Sequence, residues 1–146
     1  MRSFLFATAI WAAIAVIGAV LVVGLGLYNV SARQGHMPGV SWVLHTAYRS
    51  AVWLRAPSEE EVPDLSSPAM IALGKGHYQD ACAFCHAMPG QSRSQTALSM
   101  LPAPPHVTEA VSDWEPQHMF WIVRNGVKMS GMPAWPSARR DDAVWS

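Results

Sequence analysis

Hydrophobic patterning divides the chain into an apolar run, an amphipathic run, an aperiodic acidic stretch and a mixed carboxy-terminal region. From Phe4 to Tyr28 runs FLFATAIWAAIAVIGAVLVVGLGLY, 25 residues without a charge. At about 1.5 Å rise per residue, a helix of that length crosses a hydrocarbon core of about 30 Å. The run is therefore a membrane span or a signal sequence. A secretory apolar region is normally about 7 to 15 residues long. Length thus favours a retained anchor, against the competing small-residue cleavage pattern Val30-Ser31-Ala32. Arg2 and Arg33 flank the run almost evenly, so the positive-inside rule leaves its orientation open.

Residues 29 to 40 contain Gly and Pro and read as loop. Ser41 then precedes WVLHTAYRSAVWLR, which predicts a helix of about four turns. Its wheel gathers Val43, Leu44, Ala47, Tyr48, Ala51, Val52 and Leu54 on one half, opposite His45, Thr46, Arg49 and Ser50. Trp42 and Trp53 fall on the polar side. The pattern is expected of a helix lying at a membrane interface, with a docking surface for a partner subunit as the competing reading. Residues 56 to 68, APSEEEVPDLSSP, are acidic, Pro-rich and aperiodic, and read as an exposed linker. The expected organisation is an anchor over 1–28, a juxtamembrane helix and linker over 29–65, and a head over 66–146. A head of that size builds only a marginal hydrophobic core and gains from a cofactor or cross-link.

Charge is distributed unevenly. The chain is neutral overall, but residues 1 to 56 carry Arg2, Arg33, Arg49 and Arg55 with no acid, while residues 57 to 146 hold six bases against ten acids. The two regions are +4 and −4, as expected of parts that face different surroundings. No Lys/Arg cluster supplies the electrostatic footprint of a nucleic-acid partner.

Candidate chemistry is concentrated in Cys82-Ala83-Phe84-Cys85-His86, which holds both cysteines of the chain. C-x-x-C-H is the attachment sequence of c-type haem. Cysteines three apart on a helical turn face one side, where each can form a thioether with one vinyl group, and the adjacent imidazole is placed to offer a nitrogen to iron. A thioredoxin-like dithiol needs a preceding strand, whereas the stretch before Cys82, LGKGHYQDA, reads as helix. A structural zinc site needs four ligands, and a plain disulfide has no use for His86.

Methionine sulfur is the usual second axial ligand of electron-carrying c haems. Met88, Met100, Met119, Met129 and Met132 are the candidates. Met88 is too close to His86 to reach round the ring, and Met119 lies in a predicted helix, PQHMFWIVRN, bounded by Pro116 and Gly126. Met132 is preferred because Gly131-Met132-Pro133 combines close backbone approach with a fixed chain direction just past the sulfur. Met129 is the alternative. His77, His106 and His118 are lesser candidates. Trp114, Trp121 and Trp135 are read as haem-pocket packing, and Arg124 and Lys128 as solvated charges beside the methionine loop.

Residues 74 to 86, GKGHYQDACAFCH, and residues 126 to 135, GVKMSGMPAW, together resemble the class I cytochromes c, in particular the membrane-anchored monohaem members of bacteria. The first stretch is similar to that family's first helix and haem motif, with Gly74 and Tyr78 at matching positions. The second is similar to its methionine loop and assigns the axial role to Met132. The resemblance covers residues 69 to about 142. It implies one covalent haem c, His86 and Met132 on its iron, and a proline carbonyl, of Pro104 or Pro105, that orients the His86 ring. The family closes with an amphipathic helix crossing its first helix near Gly74. Here Asp141 or Asp142 looks like the cap of that helix, with only Ala143, Val144 and Trp145 as apolar residues after it. The expectation is a truncated last helix and, if the sequence is complete, a weakly stable head.

The expected fold is all-α: an amino-terminal transmembrane helix plus a small class I cytochrome c domain. The expected function is one-electron transfer without substrate chemistry, since a six-coordinate iron has no open position. The resemblance implies a periplasmic head on the bacterial inner membrane. It also implies redox partners such as a quinol-oxidising complex, a terminal oxidase or a dehydrogenase, with no nucleic acid and no small-molecule substrate. Two other readings are an electron-transfer subunit of a dehydrogenase complex and a haem-based gas sensor, the latter requiring iron without Met132.

Overall fold

The computed structural model describes residues 2–64 and 66–135, and among these the secondary structure is helical, with no strand. The all-α expectation is met. Two compact units divide the chain, Met1–Gln34 and Gly35–Ser146.

The first unit is built on α1, Arg2–Gly24. Its Ser3–Gly24 stretch, 22 residues, is long and apolar enough to cross a membrane. It ends four residues before Tyr28, the last residue of the apolar run. Gly26 takes the left-handed conformation at φ 64°, and Leu27 N–H returns to the Val22 carbonyl at 3.0 Å. This closes the helix with the carbonyl-capping turn that glycine makes inexpensive.

The second unit begins with α2, Pro38–Arg55. It starts three residues before the predicted Ser41 because Pro38 sits in the first turn, where its fixed φ suits a helix and its missing N–H costs nothing. Ser41 N–H already bonds the Met37 carbonyl at 2.9 Å. The linker holds one 3₁₀ turn, Glu59–Glu61, with Glu61 carboxylate accepting from Ser58 N–H at 3.0 Å. Next come α3, Pro68–His77, a π-helical turn over Tyr78–Cys82, and α4, Ala83–His86, in unbroken succession. Three further helices follow: α5, Gln95–Ser99; α6, Val107–Asp113; and α7, Pro116–Asn125. The last matches the stretch predicted between Pro116 and Gly126.

α2 packs against α7. Val52 is fully buried, Tyr48 meets Trp114 edge-on at 5.6 Å, and the Arg49 guanidinium lies 4.8 Å above the same indole. Trp53, on the polar side of the wheel, packs against His118 with the rings tilted at 51° and their centroids 4.1 Å apart, while Leu54, on the apolar half, is 78% exposed. The packed face is thus rotated from the apolar half. A Trp ring packs despite its polar N–H, and an Arg guanidinium is attracted to the face of an indole. Besides Val52, the buried apolar side chains among the described residues are Ala87, Ala97 and Ile122. The suggested capping residues Asp141 and Asp142, and Ala143 to Trp145 after them, lie outside the described residues.

Candidate functional site

The CxxCH motif stands on a continuous helical run whose register is shifted by the π turn at Tyr78–Cys82, the kind of local bulge that often marks functional positions. Cys82 and Cys85 are unpaired and half-buried. Burial, and then the nearby Cys85, push the Cys82 thiol up. A thiol held in its neutral form is the opposite of the activated thiolate that a redox dithiol requires, which disfavours the thioredoxin-like reading. The helix stops at His86 because Ala87 adopts φ 60°. The Tyr78 hydroxyl donates to the Ala87 carbonyl at 2.6 Å and so clamps the end of the motif to its beginning.

His86 Nδ1 lies 2.8 Å from the Pro105 carbonyl oxygen. A carbonyl only accepts, so Nδ1 carries the proton and Nε2 keeps its lone pair for a metal. The Pro104 carbonyl is engaged elsewhere, accepting from Arg93 Nη1 at 2.5 Å. The choice between the two prolines therefore falls on Pro105 as the carbonyl that faces the ring. His106 donates from Nε2 to the Gln91 carbonyl at 2.9 Å and accepts at Nδ1 from Thr108 N–H at 3.2 Å. Both its nitrogens are used, so it has none to offer iron. His118 is buried between α2 and α7, with Glu115 3.7 Å from its Nδ1, beyond hydrogen-bond range. His77 keeps a buried Nε2 without a partner.

The methionine loop is held from several directions. Gly126 ends α7 at φ 67°. A Cβ there would sit 2.6 Å from Pro133 C and Ala134 N, so only glycine lets the loop return so closely. Val127 N–H donates to the Met132 carbonyl at 3.1 Å and Trp135 N–H to the Val123 carbonyl at 3.1 Å. Met132 N–H donates to Ser130 Oγ at 3.2 Å, and that hydroxyl donates to the Val127 carbonyl at 2.7 Å. Within this loop Met132 is half-buried, while Met129 takes φ 63° and is 73% exposed. Trp121 is half-buried on α7, one residue before the buried Ile122.

The sequence pattern does not single out Ser94 or Arg93. Ser94 Oγ donates to the Phe84 carbonyl at 3.0 Å and accepts from Ala97 N–H at 3.0 Å. It thus caps α5 and ties that helix to the cysteine turn. An N-cap serine before a short helix was a readable signal for the second bond; nothing local signals the first.

A helical turn presenting two free thiols and a histidine with one nitrogen fixed by a carbonyl has the donor set of a c-type cytochrome. The family model for cytochrome c oxidase, cbb3-type, subunit III, matches residues 69–146, and the chain belongs to that family. No curated protein and no solved structure matches it. The chain is accordingly a cytochrome c, an electron-transfer haem protein that carries covalently bound haem c with its iron. The residues present fit such a group. The His86 ring is oriented with one nitrogen free. Phe84, Leu98, Leu101 and Val111 supply large apolar surface that the four small or medium buried apolar side chains do not cover.

Proposed function

We propose that the chain is a class I, single-haem cytochrome c anchored in the bacterial inner membrane by α1, with its head in the periplasm. On this reading Cys82 and Cys85 would hold the haem through thioethers, and His86 and Met132 would ligate its iron. Pro105 orients His86, and Tyr78 and Trp121 belong to the pocket wall. When bound, the haem supplies reversible one-electron exchange, and the protein does no bond-making on a substrate. The observation that carries the reading is the His86 Nδ1 contact with the Pro105 carbonyl, 2.8 Å, within a C-x-x-C-H turn. It fixes the tautomer that a metal-ligating imidazole needs. Met132 is preferred over Met129 because its backbone is pinned at both N–H and carbonyl, whereas Met129 faces solvent.

The span favours retention by its length and keeps the carrier near membrane donors and acceptors, which raises its effective concentration there. The family's description names a subunit of a terminal oxidase. A terminal oxidase is therefore the acceptor class the reading favours over a dehydrogenase, and co-purification with full-length chain distinguishes the two. The ferric absorption band of a methionine-sulfur bond to iron tests the ligand set: it is expected to persist in Met129→Ala and vanish in Met132→Ala. Carbon monoxide binding by the reduced, unmodified protein would overturn six-coordination and favour a gas sensor.

A further inference from the structure

Two segments carry the ligands proposed above, the turn ending at His86 and the loop around Met132, and an iron held by both would need them at a set spacing. Ser94 joins the first of these to α5 through its bond to the Phe84 carbonyl at 3.0 Å, and α4 packs on α5. At the other end of α5 stands Met100, its C-cap, half-buried, with its N–H on the Ala97 carbonyl at 3.3 Å. The Met100 side chain reaches the methionine loop: a Cβ at Gly131 would collide with Met100 Cε and lie 3.9 Å from its sulfur. The methyl therefore rests against the Gly131 backbone, in space that any other residue would fill. Every other bond described for the loop holds it to itself or to α7. Met100 brings α5 against it.

We propose that Met100 is a positioning residue that sets the distance between the His86 turn and Met132, through the chain Phe84, Ser94, α5, Met100, Gly131. The proposal rests on Met132 as the iron's sulfur ligand. A methionine is suited to the task, because its unbranched thioether conforms to an irregular backbone surface, and Gly131 leaves room for the methyl at the contact. Met100 acts by packing, not by ligation.

The test uses full-length protein matured with haem and follows two readouts in the ferric state. These are the sulfur-to-iron absorption band and the concentration of added imidazole that displaces the sulfur. Wild type must show the band; its absence sinks the Met132 assignment itself, separately from the role of Met100. With the band present, Met100→Ala is expected to lower the half-displacing imidazole concentration about tenfold, a loss of about 1.4 kcal/mol of ligand retention, with haem content and helical circular dichroism unchanged. Met100→Leu, which restores bulk without sulfur, is expected to recover most of the loss. Gly131→Ala displaces the methyl and is expected to match Met100→Ala, and the double variant is expected to add nothing, the signature of one shared contact. Wild-type imidazole displacement in Met100→Ala, or additive effects in the double variant, would overturn the proposal. So would loss of the band in both Met100 variants with its survival in Met132→Ala, since Met100 would then be the ligand.

Discussion

Tyr78 donates its hydroxyl to the Ala87 carbonyl at 2.6 Å, closing the cysteine turn on itself. Burial, and secondarily the nearby Cys82, push its ionisation up to about 12 from an ordinary 10.0. When Cys82 is a thioether the second cause disappears and burial alone remains. The folded protein holds the phenolic proton more tightly than the unfolded chain, and ionisation removes the donor. The contribution is therefore full below pH 10 and lost as pH rises through the folded value. Tyr78→Phe is expected to cost about 1 kcal/mol at neutral pH. The difference from wild type should close as the denaturation midpoint is followed from pH 10 towards 12, and a difference that stays constant over that range would contradict this account. Of the site residues, Cys82, Cys85 and His86 are legible because their chemistry is written in five consecutive positions. The choice of Pro105 over Pro104 is not, because both carbonyls are identical in sequence and only the fold commits one of them to Arg93.

Helices α2 and α7 show where periodicity informs and where it stops. For α7 the bounding residues are local signals, proline at the start and a left-handed glycine at the end, so its limits are readable. Gly126→Ala places a Cβ 2.6 Å from two backbone atoms at φ 67°. It is expected to cost at least about 2 kcal/mol by chemical denaturation, combining left-handed strain and overpacking; an unchanged midpoint would show that the loop can retreat. For α2, the wheel finds an amphipathic helix but not its partner, and it misplaces the packed face because Trp53 packs through its ring and Arg49 lays its guanidinium over an indole. Val52→Ala is expected to lose about 2 kcal/mol, whereas Trp42→Ala, at a position 69% exposed, should change stability by under about 0.5 kcal/mol. Equal effects at the two positions would indicate that α2 does not pack as described. The π turn at Tyr78–Cys82 was not legible, since nothing in YQDAC separates it from ordinary helix.

For the molecule as a whole, residues 35–146 form one compact unit with few buried apolar side chains among those described. Among the described residues this core is small, and a covalently attached planar group with large apolar faces is a physical means of adding to it. The all-helical class and the haem motif were both visible in the sequence, because each rests on local pattern. The α2–α7 seam and the Met100–Gly131 contact were not, because each joins segments far apart in the chain. Attachment of the haem to this polypeptide through two sulfurs is read on protein purified after expression with c-type maturation machinery. The denatured chain is extracted with acidified organic solvent and its spectrum then recorded in alkaline pyridine. With two thioethers, the colour is expected to stay with the polypeptide and the spectrum to be that of haem with both vinyl groups saturated, at one haem per chain. Haem that leaves with the solvent, or a colourless chain, would contradict it.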